Sequence, residues 1–149
     1  MILEVSVHEI LDAPQFPALV EEYAAEAAIV GMPHPKAKIE SYRAYDASGM
    51  LHSFASVDGD ALVGFITVLA PILPHYSCPV AVAESFFVAA AHRAGGDGLR
   101  LLTAAEKRAQ EVGSPGLLVS APMDGRLFEI LPRCGYVECS RIFFKQVPQ

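Results

Sequence analysis

Arg93-Ala94-Gly95-Gly96-Asp97-Gly98 is the stretch that decides how this chain reads. An apolar run, Val80 to Ala91, leads into it, and an amphipathic segment, Leu99 to Val112, leads out. A strand, a glycine loop and a helix start together aim main-chain N–H groups outward. The first N–H groups of a helix lack intrahelical partners, and the helix dipole adds partial positive charge there. Such an end suits an anion like a pyrophosphate, and glycines let the backbone come close to it. The pattern alone is equally that of a tight turn with no ligand.

Working outward from the loop, the helix face is Gly98, Leu102, Ala105, Ala109 and Val112, with Arg100, Lys107, Arg108 and Glu111 mostly opposite. Gly113-Ser114-Pro115-Gly116 breaks the helix, Leu117 to Ser120 reads as a short strand, and Asp124 to Arg133 as a helix. Tyr136 to Phe144 reads as a last strand. Upstream, Leu51 to Val57 and Ala61 to Ile72 read as strands joined at Asp58-Gly59-Asp60. The second of these is apolar nearly throughout, as a strand buried on both faces is. Pro71 to Pro79 reads as a loop. Leu3, Val5 and Val7 alternate with polar residues as a first strand. Phe16 to Val30 has helical spacing and ends at Gly31, Met32-Pro33-His34-Pro35 is a rigid connector, and a second helix is expected from about Lys36 to Ser48. The order β-α-α-β-β-β-α-β-α-β argues an α/β domain with a mixed sheet and helices on both faces. No linker or repeat divides residues 1–149, so one domain is expected.

Composition narrows the function. The 149 residues are 52% hydrophobic and 19% charged, with a net charge of −6, which argues against a nucleic-acid surface. The longest apolar stretch, Ala61 to Leu73, is too short to span a membrane. The N-terminus lacks a basic start and a signal-type apolar region, so a cytoplasmic protein is expected. Cys78, Cys134 and Cys139 lack metal-like spacing and are expected to be reduced and buried. The five histidines show no ligand spacing, so no metal is expected. No G-x-S-x-G nucleophile elbow is present, and the glycine order does not fit a dinucleotide fold.

Arg93-x-x-Gly96-x-Gly98 resembles the Arg/Gln-x-x-Gly-x-Gly/Ala motif of the GNAT superfamily of acyl-CoA-dependent N-acetyltransferases. Val88 stands five residues before Arg93, as in that family, and Leu99 to Glu106 is similar to the family's helix. Leu127 to Tyr136 is similar to its late helix running into Gly-aromatic, here Gly135-Tyr136. The resemblance covers most of the chain and is strongest from Leu62 to Phe144. It implies a mostly antiparallel central sheet of roughly six to seven strands with helices on both faces. It also implies acetyl transfer from acetyl-CoA to a primary amine, on a small molecule or a protein. By resemblance, the backbone of Phe86, Phe87 and Val88 would pair with the pantetheine arm, and Arg93, Ala94, Gly95, Gly96, Asp97, Gly98 and Leu99 would hold the pyrophosphate. Two adjacent aromatics at 86 and 87 also suit filling both sides of the sheet. Asp97 departs from the family, since a carboxylate beside a diphosphate is repulsive unless it turns to solvent or caps the helix.

Amine acetylation requires the amine to lose a proton and the developing oxyanion to find donors. Glu84 is the only acid in the strand Val80 to Val88. Burial there is expected to raise its pKa into a useful range, which makes it the candidate general base, acting through water as an acid on this strand does in many family members. A structural Glu paired with a cation is the other reading. Many members carry a Tyr four residues before the Gly of Gly-aromatic to protonate the thiolate, and this chain has Leu131 there. Ser120 is the second catalytic candidate, at a strand end beside the thioester. His34, Tyr42, His75 and Tyr76 are the acceptor-site candidates, expected to converge where Val63–Leu69 parts from Val82–Val88. A competing class is a binding module of the same fold that holds CoA, or has lost it, and acts through protein contacts. Leu131 and Asp97 favour it. A homodimer is also open to the chain, because an apolar last strand often finds a partner.

Overall fold

The computed structural model describes residues 1–33 and 39–148. Its strands are β1 (Ile2–Val5), β2 (Leu51–Asp58), β3 (Ala61–Leu69), β4 (Ile72–Leu73), β5 (Cys78–Pro79), β6 (Ala81–Val88) and β7 (Leu117–Val119). Its helices are α1 (Val7–Leu11), α2 (Phe16–Ala27), α3 (Ile39–Ala47), α4 (Asp97–Glu111) and α5 (Arg126–Ile130). The main sheet has five strands in the order β1-β2-β3-β6-β7. Every pair is antiparallel except β6 and β7, which run parallel from Ala81↔Leu117 to Ala83↔Val119.

The sheet is covered on both faces, which explains the unbroken apolar run of β3. On one face Phe54, Ile66 and Val68 pack with Leu101, Leu102, Ala105 and Ala109 of α4. On the other, Ala55, Phe65 and Phe87 pack with Ile10 of α1 and Leu19 of α2. Phe86 and Phe87 take opposite faces: Phe86 joins the α4 side, while Phe87 sits edge-on to Tyr23, 5.7 Å between ring centres. Among the described residues no helix is long and apolar enough to cross a membrane.

The mixed sheet with helices on both faces agrees with the order of elements in the sequence, but the strand count is lower than expected. Tyr136 to Phe144 forms no strand, and Val137, Ile142 and Phe143 lie exposed in a tail without regular secondary structure. The Pro71–Pro79 loop instead contains the small β4–β5 hairpin. The first strand is shorter than its alternation suggests, because Ser6 and Glu9 form a reciprocal cap. The Ser6 N–H donates to Glu9 Oε2 at 2.8 Å and the Glu9 N–H to Ser6 Oγ at 3.4 Å, so Val7 begins α1. The helix expected from Phe16 to Val30 ends at Ala27, and Pro132 limits α5 to one turn before a 3₁₀ turn, Leu131–Cys134. Cys134 and Cys139 are exposed rather than buried, because the late elements lie at the edge of the core.

Gly64 marks a close approach of β3 to β6. A Cβ built there would lie 2.9 Å from the Phe87 carbonyl oxygen and 3.1 Å from Val88 Cα, both main-chain atoms. Gly64→Ala should therefore destabilise the domain by about 1–3 kcal/mol. In a chain of this length that lowers Tm by about 2–12 °C, which a thermal melt checks.

Candidate active site

Glu84 sits on a β-bulge. The pairing of β3 with β6 is regular from Gly64↔Val88 to Thr67↔Ser85 and resumes at Val68↔Ala83, so Glu84 is the extra residue with no partner on β3. A bulge re-aims one side chain and breaks alternation. Glu84 is consequently exposed, which corrects the expectation that an apolar strand would bury it. Hydroxyls hold its carboxylate instead. Ser85 Oγ donates to Glu84 Oε2 at 2.7 Å and Thr67 Oγ1 donates to the same oxygen at 2.9 Å. The Tyr42 hydroxyl lies 3.1 and 3.0 Å from the two carboxylate oxygens and 3.2 Å from Ser85 Oγ. Thr67 Oγ1 also accepts from the Ser85 N–H at 3.2 Å, which ties the bulge to β3. Among the described residues Glu84 pairs with no cation.

The carboxylate forms part of the wall of a cavity of about 260 Å³ between α1, α2, α3 and the sheet. Ile10, Phe16, Val20, Tyr23 and Phe65 make the apolar side, and Tyr42, Thr67, Glu84 and Ser85 the polar side. Burial, then the Glu84 charge, raises the pKa of both Tyr23 and Tyr42. Both phenols stay protonated at neutral pH and serve as donors or neutral walls.

β7 leaves β6 after Ala83↔Val119, so the β6 edge from Glu84 to Val88 faces no strand among the described residues. That open edge runs about 13 Å, at roughly 3.3 Å per residue. The sheet therefore opens between β6 and β7, and not between Val63–Leu69 and Val82–Val88, which stay paired. Ser120 follows β7 directly, one step beyond the last paired residues and next to the level of Glu84.

At the far end of the open edge, Ala90–Gly95 forms a 3₁₀ turn, Gly96 takes the left-handed conformation at φ 78°, and α4 begins at Asp97. The Arg100 N–H is bonded to the Gly96 carbonyl at 3.1 Å, so the amides before it lie at the free end of a fifteen-residue helix. Asp97 neither turns to solvent nor caps the helix. It pairs with Arg100 at 2.6 Å, and Arg100 also donates to the Gly95 carbonyl at 2.8 Å. This cation neutralises the carboxylate that made the loop unfavourable for a diphosphate. Arg93 faces inward: its Nε donates to the Val88 carbonyl at 2.8 Å, its guanidinium pairs with Glu26 at 2.7 Å, and it lies 5.2 Å from the Phe87 ring centre. It braces α2 against the end of β6. Gly98 meets Phe86 and Val88 at 3.6 and 3.9 Å from a built Cβ, so helix and strand pack closely at the loop.

The candidate residues divide clearly. Glu84 and Tyr42 line one cavity, Ser120 follows the last residue that β7 pairs with β6, and the glycine loop ends the same strand edge. His75 and Tyr76 stack on each other at 4.0 Å in the β4–β5 turn and are not in the wall of the cavity that holds Glu84. His34 lies outside the described residues. Leu131, at the position where the family often has Tyr, is buried in the α4-side core. Tyr136 donates to Glu106 at 2.7 Å and anchors the late helix to α4, its pKa raised by burial and by Glu106. Sequence reading missed Tyr23, Thr67, Ser85 and Arg100. Thr67, the one hydroxyl in the apolar run of β3, was the available signal.

A scan against protein-family models finds no match, and neither does a search of the curated proteins. Solved structures do match over the full chain. A ribosomal-protein-alanine N-acetyltransferase from Brucella melitensis biovar Abortus 2308 superposes with a TM-score of 0.76, covering 100% of this chain and 98% of its own at 16% identity. An aminoglycoside acetyltransferase from an uncultured soil metagenomic sample, in complex with trehalose, gives 0.73 over 99% and 96% at 18% identity. An aminoglycoside N-acetyltransferase in complex with CoA gives 0.73 over 100% of both chains at 14% identity. The chain has the fold of these N-acetyltransferases, the GNAT fold.

Proposed function

We propose that this protein transfers an acetyl group from acetyl-CoA to a compact primary amine. The observation that carries the reading is Glu84: a carboxylate on a bulge, at the start of an open strand edge and in the wall of an apolar cavity. The fold supports it, since the solved structures named above include N-acetyltransferases that act on quite different amines and one that holds CoA. Acetyl-CoA supplies the activated acetyl group. The amides of Gly95 to Leu99 at the α4 N-terminus would take its pyrophosphate, helped by Arg100 and by the left-handed turn at Gly96. The open edge of Phe86, Phe87 and Val88 would pair with the arm.

In this reading an ammonium enters the cavity with its apolar body against Phe16, Tyr23 and Phe65. Glu84 takes its proton through water, the neutral amine attacks the acetyl carbon, the thiolate leaves, and the second proton of the nitrogen passes through water to the thiolate or to solvent. Tyr42, Thr67 and Ser85 fix the carboxylate so that it need not reorganise. With Leu131 in place of the usual Tyr, water protonates the thiolate or Ser120 donates to it.

The acceptor is a small molecule in this account. The cavity, about 260 Å³, falls just below the usual range of roughly 300–1,000 Å³ for small-molecule clefts, and its one carboxylate, held by hydroxyls, faces an apolar wall. A panel of small monoamines and of peptides, assayed by thiol release from acetyl-CoA, tests this. Turnover on small amines and none on peptides is expected. Turnover on peptides alone refutes the small-amine preference, and turnover on neither class favours a CoA-binding or protein-interaction module.

A further inference from the structure

A second concave surface lies on the other face of the sheet from the Glu84 cavity. Between β1 and α4 the described residues form a groove of about 490 Å³. Helical spacing builds one wall. Arg100, Ala104, Lys107, Arg108 and Glu111 fall at i, i+4, i+7, i+8 and i+11, a single stripe along about 16 Å of α4. The floor is apolar, since Phe54 belongs to the α4-side core and Ile2 and Ala104 pack against it. An apolar floor with a few charged groups, in a volume of roughly 300–1,000 Å³, is the make-up of a small-molecule site.

The charges of the wall are not equivalent. Arg108 is spent within the protein: its Nη2 pairs with Glu4 at 2.6 Å, its Nε with Glu111 at 3.0 Å, and its Nη1 lies 3.4 Å from His52 Nδ1. Its guanidinium also lies 5.8 Å from the centre of the Phe54 ring. Arg100 differs. Its bonds to Asp97 and to the Gly95 carbonyl both leave from Nη2, so among the described residues the donors on Nε and Nη1 have no acceptor. Lys107 reaches only Glu111 among the described residues, at 3.8 Å, too far for a hydrogen bond. Unspent cationic donors thus stand at Arg100 and Lys107, about two helical turns apart, with the apolar floor between them. In a chain of net charge −6 this groove sets three cations, Arg100, Lys107 and Arg108, against two carboxylates, Glu4 and Glu111.

We propose that the groove between β1 and α4 binds a small carboxylate with an apolar body, its anion held by Arg100 and Lys107 and its body laid on Ile2, Phe54 and Ala104. A sugar or a nucleobase suits it less, because the hydroxyl in the wall, that of Thr103, already donates to the Leu99 carbonyl at 3.0 Å. The Glu84 cavity does not compete for such a ligand, since its one charged group is a carboxylate. The site is separate from acetyl transfer and stands or falls without it.

Octanoate is the probe, titrated into the isotope-labelled full chain and followed by amide chemical shifts. The shifts should gather at Ile2 to Glu4 and at Arg100 to Glu111. Octanol, which lacks the charge, and inorganic phosphate, which lacks the body, should leave those amides in place at the same concentration. Lys107→Glu and Ala104→Glu should each weaken octanoate by about tenfold or more, the first by reversing a cation and the second by setting a carboxylate on the floor. Lys107 is 78% exposed and glutamate suits a helix, so Lys107→Glu retains the fold even if Ala104→Glu does not, and a thermal melt checks both. No shift at millimolar octanoate overturns the proposal, and so do shifts centred on Tyr23, Phe65 and Glu84 or spread over the whole surface. Equal shifts with octanol or phosphate, or octanoate binding that Lys107→Glu leaves unchanged, overturn it equally.

Discussion

Glu84→Gln should lower turnover on any accepted amine by about 10²-fold or more, while leaving acetyl-CoA binding nearly intact. The amide keeps the size of the carboxylate and an oxygen to accept from Ser85, Thr67 or Tyr42, so the bulge should persist. What it loses is the ability to take a proton. Tyr42→Phe is the informative companion. It removes one hydroxyl from a charged acceptor, an interaction of about 1.5–3 kcal/mol, and leaves the base itself. Its turnover should drop by a smaller factor. Steady-state kinetics of the two variants separates the effects. An unchanged rate in Glu84→Gln would move the proton transfer to water or to another group.

Gly96→Glu should abolish the stabilisation that acetyl-CoA confers. A ligand that binds only the folded state adds about 2.7 kcal/mol at a hundredfold excess over its Kd. For a chain of this length that is a rise in Tm of roughly 5–11 °C. Gly96 has φ 78°, where an L side chain is strained, and it stands between the 3₁₀ turn and the first amides of α4. Glutamate adds strain, bulk and a negative charge at the place assigned to the pyrophosphate. The unliganded variant should melt a little lower than wild type, so the comparison is of the shift and not of the absolute Tm. Gly98→Ala is the control, because a Cβ there makes only ordinary contacts at 3.6 and 3.9 Å. It should retain the shift.

Much of the fold was legible because it is written in local pattern. The apolar run of β3, the turn at Gly59, the amphipathic face of α4 and the loop at Gly96 each declare themselves within a dozen residues. The site was less so, because its contacts join distant positions. Glu84 stood out as an acid in an apolar strand, but the reason it faces the cavity is a bulge, which depends on the register against β3. Tyr42 meets Glu84 across 42 positions, and the Asp97–Arg100 pair acts through a loop carbonyl as well as through helical spacing. Alternation alone extended β1 too far, since Ser6 and Glu9 can close a cap only once the chain turns. The last strand was misread for a different reason. Its apolar pattern is real, but Val137 to Val147 pairs with no strand among the described residues, and Phe144 and Gln146 lie against Gly31 instead.

The central claim, that acetyl-CoA lies along the open edge of β6 with its reacting end at Glu84, is tested most directly by a crystal structure of the complex with acetyl-CoA. The account predicts the pyrophosphate against the amides of Gly95 to Leu99, the arm along Phe86 to Val88, and the acetyl group at the mouth of the cavity that Tyr42, Thr67 and Glu84 line. Acetyl-CoA bound elsewhere, or with its thioester turned away from that cavity, would contradict it.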